Sequence, residues 1–230
     1  MAVPAHVLER RVCAAGFANP GALEVVGLSH DRLAAAVHST YRLLDRIDET
    51  LTGDGVEPLC QIVELANLSS MIGNMLGAEI AKASNGLYRR NGPHRFPDLL
   101  PLHASAASSG IEIKMALNRN NPKGHLAKEG HYLTCRYVLI DAQGNACVEK
   151  VDRFRAAHVC IWEMRTGYLR EAHFNISNTA GDSGKTAAIN AAGLEQLQVI
   201  YVDLAMVPGT QRGARFKAYQ ALFGANRPPE

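Results

Sequence analysis

The hydrophobic period of this chain changes once along its length, and that change sets the fold class. Up to about residue 84 apolar side chains recur at steps of three and four; beyond Gly110 they recur at two. Leu33, Val37, Tyr41, Leu44 and Ile47 mark one face of a helix, and Gly53 and Gly55 break it. Residues 59–84 carry a second helical pattern. Within it, over 62–82, Leu65, Leu68, Ile72, Leu76 and Glu79 fall on one stripe. From Ser84 to Pro101 the residues are those of loops: Asn85, Gly86, Asn91, Gly92, Pro93 and Pro97. After Gly110, Ile111, Ile113 and Met115 alternate with Glu112 and Lys114, which predicts a strand. Residues 132–140 (YLTCRYVLI) predict a second strand closed by a turn over 141–145, and 157–163 and 197–204 predict two more. A helix is expected around 185–195 and another over 211–223. Helices first, then a central sheet, then a terminal helix make an α/β chain. It is expected to be one domain: a helical N-terminal part (1–58), an αβ core (59–210), and a C-terminal helix and tail (211–230).

Composition excludes several classes. With 230 residues, 47% hydrophobic and 20% charged, the chain can build a packed core and is neither disordered nor fibrous. No run approaches the roughly 18 apolar residues of a membrane helix. The first residues lack a continuous apolar stretch, so no signal peptide is expected and a cytoplasmic protein is the default. Cys13, Cys60, Cys135, Cys147 and Cys160 are odd in number and widely spaced, which suggests neither a disulfide framework nor a cysteine zinc site. The histidines form no H-x-x-x-H pair. A net charge of +2 neither requires nor forbids a nucleic-acid partner, because local charge matters more. Basic residues do cluster: Arg89, Arg90 and Arg95; Arg119, Lys123 and Lys128; Arg212, Arg215 and Lys217.

The chemistry concentrates between residues 79 and 128. Asp98 follows Pro97, and Glu112-Ile113-Lys114 follow on a strand. Alternation places Glu112 and Lys114 on one face and Ile111 and Ile113 on the other. Two carboxylates and a lysine are what metal-dependent phosphodiester hydrolysis requires. Carboxylate oxygens hold a hard cation such as Mg²⁺, and an ammonium steadies a water or a developing phosphorane charge.

The pattern Pro97-Asp98 followed by Glu112-Ile113-Lys114 resembles the PD-(D/E)xK nuclease superfamily, and within it the type II restriction endonucleases. The resemblance implies a restriction-endonuclease-like core with a mixed central sheet flanked by helices. It implies Mg²⁺, with Mn²⁺ able to substitute, bound by Asp98 and Glu112, with Lys114 assisting the attacking water. It implies double-stranded DNA as substrate, a homodimer on a palindromic site, and products with 5′-phosphate and 3′-hydroxyl ends. Glu79, a carboxylate on an apolar stripe, would add to the metal site; the alternative is a helix-end carboxylate paired with Lys82.

Further candidates surround this motif. The loop Asn118-Arg119-Asn120-Asn121-Pro122-Lys123-Gly124-His125 is polar and basic; Asn118, Arg119, Asn121, Lys123 and His125 are candidate DNA contacts, with an ordinary solvated turn as the alternative. Residues 179–186 (TAGDSGKT) match only part of a phosphate-binding loop, so an ATP site is not expected. Ser183, Lys185 and Thr186, opening the expected helix, could instead hold a DNA phosphate. Asp141, Glu163 and Asp203 are read at strand ends as acidic neighbours or turn residues. Trp162 and Cys160 are expected in the core. Two rival readings stand beside the restriction enzyme: a sequence-nonspecific repair or recombination nuclease of the same fold, and a non-catalytic DNA- or nucleotide-binding protein.

Overall fold

The computed structural model describes residues 10, 12, 14–103, 110–178, 185–209 and 213–224. In chain order the elements are α1 (Pro20–Glu24), α2 (His30–Gly53), α3 (Leu59–Ile62), α4 (Leu65–Ala83), β1 (Tyr88–Arg90), β2 (Leu99–Pro101), β3 (Ile111–Leu117), β4 (Lys123–Gly124), β5 (Gly130–Ile140), β6 (Ala146–Cys147), β7 (His158–Leu169), β8 (Phe174–Asn178), β9 (Lys185–Ile189), α5 (Ala191–Gln196), β10 (Gln198–Val202) and α6 (Ala214–Gly224). The chain is α/β, with a mixed seven-stranded sheet in the order β1-β2-β3-β5-β7-β10 and β6 paired to β5. A separate three-stranded sheet runs β4-β9-β8. Among the described residues no helix is long and apolar enough to cross a membrane.

The two long helices form where the period of the sequence puts them. Ser29 caps α2 by accepting from the Arg32 amide at 3.3 Å, and Leu33, Val37, Tyr41 and Leu44 are its buried stripe. The pattern over 59–84 is not one helix. Val63 is extended, and the Arg153 guanidinium donates to the carbonyls of Cys60 and Val63, competing for acceptors that a continuing helix would use. Helix α4 therefore starts afresh at Leu65.

The main sheet has two unlike faces. Ile111, Ile113, Leu133, Cys135, Tyr137 and Leu139 join Val37, Tyr41, Leu68, Ile72, Leu76 and Ile80 in the principal core, so this face is covered by α2 and α4. Gly73 and Gly77 let α4 lie close on β3: a Cβ on either would stand 3.2 Å from the Met115 or Ile113 side chain. The parallel register of β3 on β5 aligns Glu112 with Tyr132, Lys114 with Thr134 and Ala116 with Arg136, all on the opposite face. Strand β7 continues these rows with Arg165 beside Thr134 and Glu163 beside Arg136. Beyond Arg136 a bulge shifts the register, and Ile161 beside it donates its amide to the Tyr41 hydroxyl at 2.8 Å.

Three expectations need correction. The loop over 84–101 contains two short strands, β1 and β2, which antiparallel pairing with each other builds without a long apolar run. The helix expected around 185–195 is instead strand β9 followed by the short α5. Ala187 and Ile189 are buried at a period of two, and Asn190 caps α5 by accepting from the Gly193 amide at 2.8 Å. Lys185 and Thr186 therefore open a strand, and offer no helix N-terminus to a phosphate; Ser183 lies outside the described residues.

Candidate functional site

Asp98 and Glu112 meet because β2 and β3 are antiparallel, with Leu99 opposite Ile111. The turn into β3 depends on Gly110. It has φ +73°, and a Cβ there would stand 2.2 Å from the Leu99 carbonyl oxygen and 2.6 Å from the Pro97 ring. The residues then lock reciprocally. The Asp98 amide donates to Glu112 Oε2 at 3.2 Å, and the Ile113 amide donates to Asp98 Oδ2 at 2.8 Å. Lys114 Nζ donates to Glu112 Oε1 at 2.5 Å. Local chain order thus brings two carboxylates and an ammonium to one place, with Glu112 bonded both to the Asp98 backbone and to Lys114.

Electrostatics follow from burial. Glu112 is 8% exposed, and loss of water pushes its carboxyl above the usual range; Lys114 opposes that shift and the charge of Asp98 adds to it. Tyr132, in register beside Glu112, donates its hydroxyl to the Lys128 carbonyl at 2.8 Å. Burial and the charges of Glu112 and Asp98 push its phenol upward. Lys128 in turn places its ammonium 4.9 Å from the centre of the Phe96 ring. Strand β4 covers the lysine: a Cβ on Gly124 would lie 3.1 Å from Lys114 Cε and 3.4 Å from Nζ.

Glu79 is not part of this constellation. It stands on α4, which packs on the Ile113 face of β3, whereas Glu112 and Lys114 point away from that helix. Its carboxylate pairs with Lys82 at 2.6 Å and lines a cavity of about 220 Å³ with Ser39, Arg42, Leu43, Arg46 and Lys82. The amphipathic stripe located its burial correctly but could not tell which side of the sheet the helix covers.

The loop after β3 divides. Asn118, at φ +53°, donates its side-chain amide to the Val148 carbonyl at 3.2 Å. Its own carbonyl accepts from the Trp162 indole at 3.1 Å, and its backbone amide donates to Tyr137 O at 2.7 Å. Arg119 donates to the Pro208 carbonyl. Both side chains hydrogen-bond carbonyls of the chain itself, although Arg119 is exposed. Asn121, Lys123 and His125 are exposed, as is Lys185.

Arg136, Arg165 and Tyr219 were not singled out by sequence reasoning, and all three meet Glu163. Glu163, 2% exposed, accepts from Arg136 Nη1 at 2.8 Å, Arg165 Nη2 at 3.0 Å and the Tyr219 hydroxyl. Arg136 Nε also donates to the Asn120 carbonyl at 3.1 Å, so the network reaches the loop that follows the Lys114 strand. Burial and the Glu163 charge push the Tyr219 phenol up. Glu163 is thus neither a strand-end acid nor a turn residue. Asp141 and Asp203 do serve turns, accepting from the Gln143, Asn145 and Ala205 amides. Trp162 and Cys160 are buried as expected; Cys60, Cys135 and Cys147 are also buried free thiols, and Cys13 lies outside the described residues.

Among the described residues no group of three or more His, Cys, Asp or Glu is placed to hold a metal. Asp98 and Glu112 form a pair, which suits a cation that keeps several waters and takes only one or two protein carboxylates. Two carboxylates whose charges oppose each other, one of them desolvated, are the donor set that such a cation relieves. No protein-family model matches the chain, and no curated protein matches it.

Proposed function

We propose that this chain is a metal-dependent deoxyribonuclease of the type II restriction class, cutting double-stranded DNA at a specific site. One observation carries the reading: Glu112 accepts from the Asp98 amide and from Lys114, while the Asp98 carboxylate accepts from the Ile113 amide, on the sheet face opposite α2 and α4. Asp98 and Glu112 would hold Mg²⁺, which when bound acidifies a water and offsets charge on the phosphate. The protein's own part is orientation. The Ile113 amide fixes the Asp98 carboxylate, and the Asp98 amide fixes Glu112. Lys114 opposes the upward shift that desolvation imposes on Glu112 and supplies ammonium protons beside it. A restriction-endonuclease-like core is consistent with the antiparallel β2–β3 pairing that brings the acids together, followed by the parallel pairing of β3 with β5. A homodimer matched to a palindromic site, acting in the cytoplasm, completes the proposal.

The test is incubation with bacteriophage and plasmid DNA, with Mg²⁺ or with chelator, beside Asp98→Ala and Lys114→Ala. Discrete fragments that require the metal and vanish in both variants are expected. A metal-dependent smear would replace the site-specific enzyme by a nonspecific nuclease. Intact DNA in every lane, methylated and single-stranded substrates included, would overturn the reading.

A further inference from the structure

We propose that Lys128 is a further positioning residue of the site, whose ammonium takes the phosphate next to the scissile one and holds the strand over Asp98 and Glu112. The inference rests on the nuclease reading and adds a cation that lies outside the pattern of Pro97-Asp98 and Glu112-Ile113-Lys114.

Tyr132 and Phe96 bring Lys128 to the site. Tyr132 lies in register beside Glu112, and its hydroxyl donates to the Lys128 carbonyl at 2.8 Å. The charges of Glu112 and Asp98 both reach that hydroxyl, so the backbone of Lys128 borders the carboxylate pair. Phe96 stands two positions before Asp98, with its ring centre 6.4 Å from that of Tyr132. The Lys128 ammonium lies 4.9 Å from the centre of the Phe96 ring. Gly130 permits this stacking, because a Cβ there would stand 3.0 Å from Phe96 Cζ and displace the ring. Phe96 and Tyr132 pack in turn with Leu169, Ile189 and Leu197, which fixes the platform under the lysine.

The charge of Lys128 is unspent. Lys82 and Lys114 each pair with a carboxylate, and Arg136 and Arg165 share Glu163. Lys128 is half-buried, and among the described residues it pairs with no carboxylate. An aromatic face attracts a cation without cancelling its charge. With both acids ionised, Asp98, Glu112 and Lys114 carry one net negative charge, which repels an approaching phosphodiester. A lysine at the border of the pair offsets that repulsion and offers ammonium protons to phosphate oxygens. Lys114 already serves Glu112 inside the site, whereas Lys128 is held by a ring and a carbonyl beside it, so the phosphate it meets is the neighbouring one.

The experiment compares wild type, Lys128→Met and Lys128→Arg. Methionine keeps an unbranched stem over Phe96 and loses the charge; arginine keeps the charge. Urea midpoints check folding, with Lys128→Gln as the second uncharged variant. Once the cut is mapped on plasmid DNA, a duplex oligonucleotide carrying it is cleaved with Mg²⁺ to separate kcat from KM. The same duplex is bound in chelator over a salt series, read by fluorescence anisotropy. Lys128→Met should weaken binding and raise KM at least about tenfold, and reduce the slope of log affinity against log salt by about 1. Lys128→Arg should stay close to wild type. Duplexes with an uncharged methylphosphonate in place of the phosphate on either side of the cut provide the second half of the comparison. On one of them wild type and Lys128→Met should bind alike, because the charge that Lys128 meets is gone. Unchanged affinity, slope and KM in the uncharged variants would overturn the role of Lys128 and leave the nuclease standing. A loss in Lys128→Met that persists undiminished on every methylphosphonate duplex would also overturn it, since the lysine would then act through packing. A wild type that cuts no DNA would overturn the nuclease reading and this assignment with it.

Discussion

Ile113 and Lys114 are neighbours on one strand, and they live in different chemistries. Ile113 meets α4 in the apolar core, and Lys114 meets Glu112 under β4. The same alternation runs across β5 and β7. Leu133, Cys135 and Tyr137 are packed with the helices, while Thr134, Arg136 and Glu163 lie on the other side. The helix-covered face gains stability from area removed from water and tolerates no charge without a partner. The other face is also largely buried, yet it carries ions, Glu112 paired with Lys114 and Glu163 with Arg136 and Arg165. The lesson is that one sheet supplies both scaffold and reactive groups by parity alone, and that moving any of these strands by one residue would exchange them.

The largest effect expected from this division is on cleavage. Glu112→Gln or Asp98→Ala should lower the metal-dependent rate on plasmid DNA by roughly three orders of magnitude or more, since each tenfold is about 1.4 kcal/mol of barrier and a metal site supplies several kcal/mol. Next comes the charged network. Glu163→Ala leaves Arg136 and Arg165 buried without their carboxylate, so urea unfolding should show a loss of about 3–5 kcal/mol. On the helix side Leu76→Ala should cost about 3 kcal/mol through the cavity it leaves, with kcat for cleavage retained where the protein is folded. The sharpest comparison is Glu79→Ala. Its partner Lys82 is largely exposed, so stability should change by about 1 kcal/mol at most, and cleavage should persist. A cleavage loss matching that of Glu112→Gln would break the separation of the two faces.

The smallest effect is in the pH dependence. The Glu112 carboxyl is raised in the folded protein, so between the ordinary glutamate value and that raised value the native state binds more protons than the unfolded chain. Stability should therefore fall as pH rises through that window. Glu112→Gln should remove this part of the slope, as read from urea midpoints at several pH values.

The long helices and the charged motif were readable because each is a local pattern. The stripe Leu33, Val37, Tyr41 and Leu44, and the alternation of Ile111, Glu112, Ile113 and Lys114, need only the period of their own element. What could not be read is what register and sidedness decide. Arg136 and Glu163 are separated by 27 positions and meet only through antiparallel pairing just before a bulge. Glu79 has the right burial and the wrong side. Asn118 and Arg119 have the composition of a DNA-reading loop, and their bonds to the Val148 and Pro208 carbonyls come from segments distant in sequence. Lys185 and Thr186 follow a glycine-rich stretch that favours a helix start on paper, whereas pairing with β8 makes a strand.

The Tyr219 contact has a kinetic consequence. Glu163, Arg136 and Arg165 come from adjacent strands, but the hydroxyl that completes their network arrives on α6, 56 positions further along the chain. That helix closes a long loop to reach strands already paired, and loops of this kind dock late. Undocking α6 is then a partial opening that leaves the main sheet standing, and it admits water to the ions beneath. Amide hydrogens of α6 should exchange ahead of those in β5 and β7, so that this helix comes loose before the strands it covers.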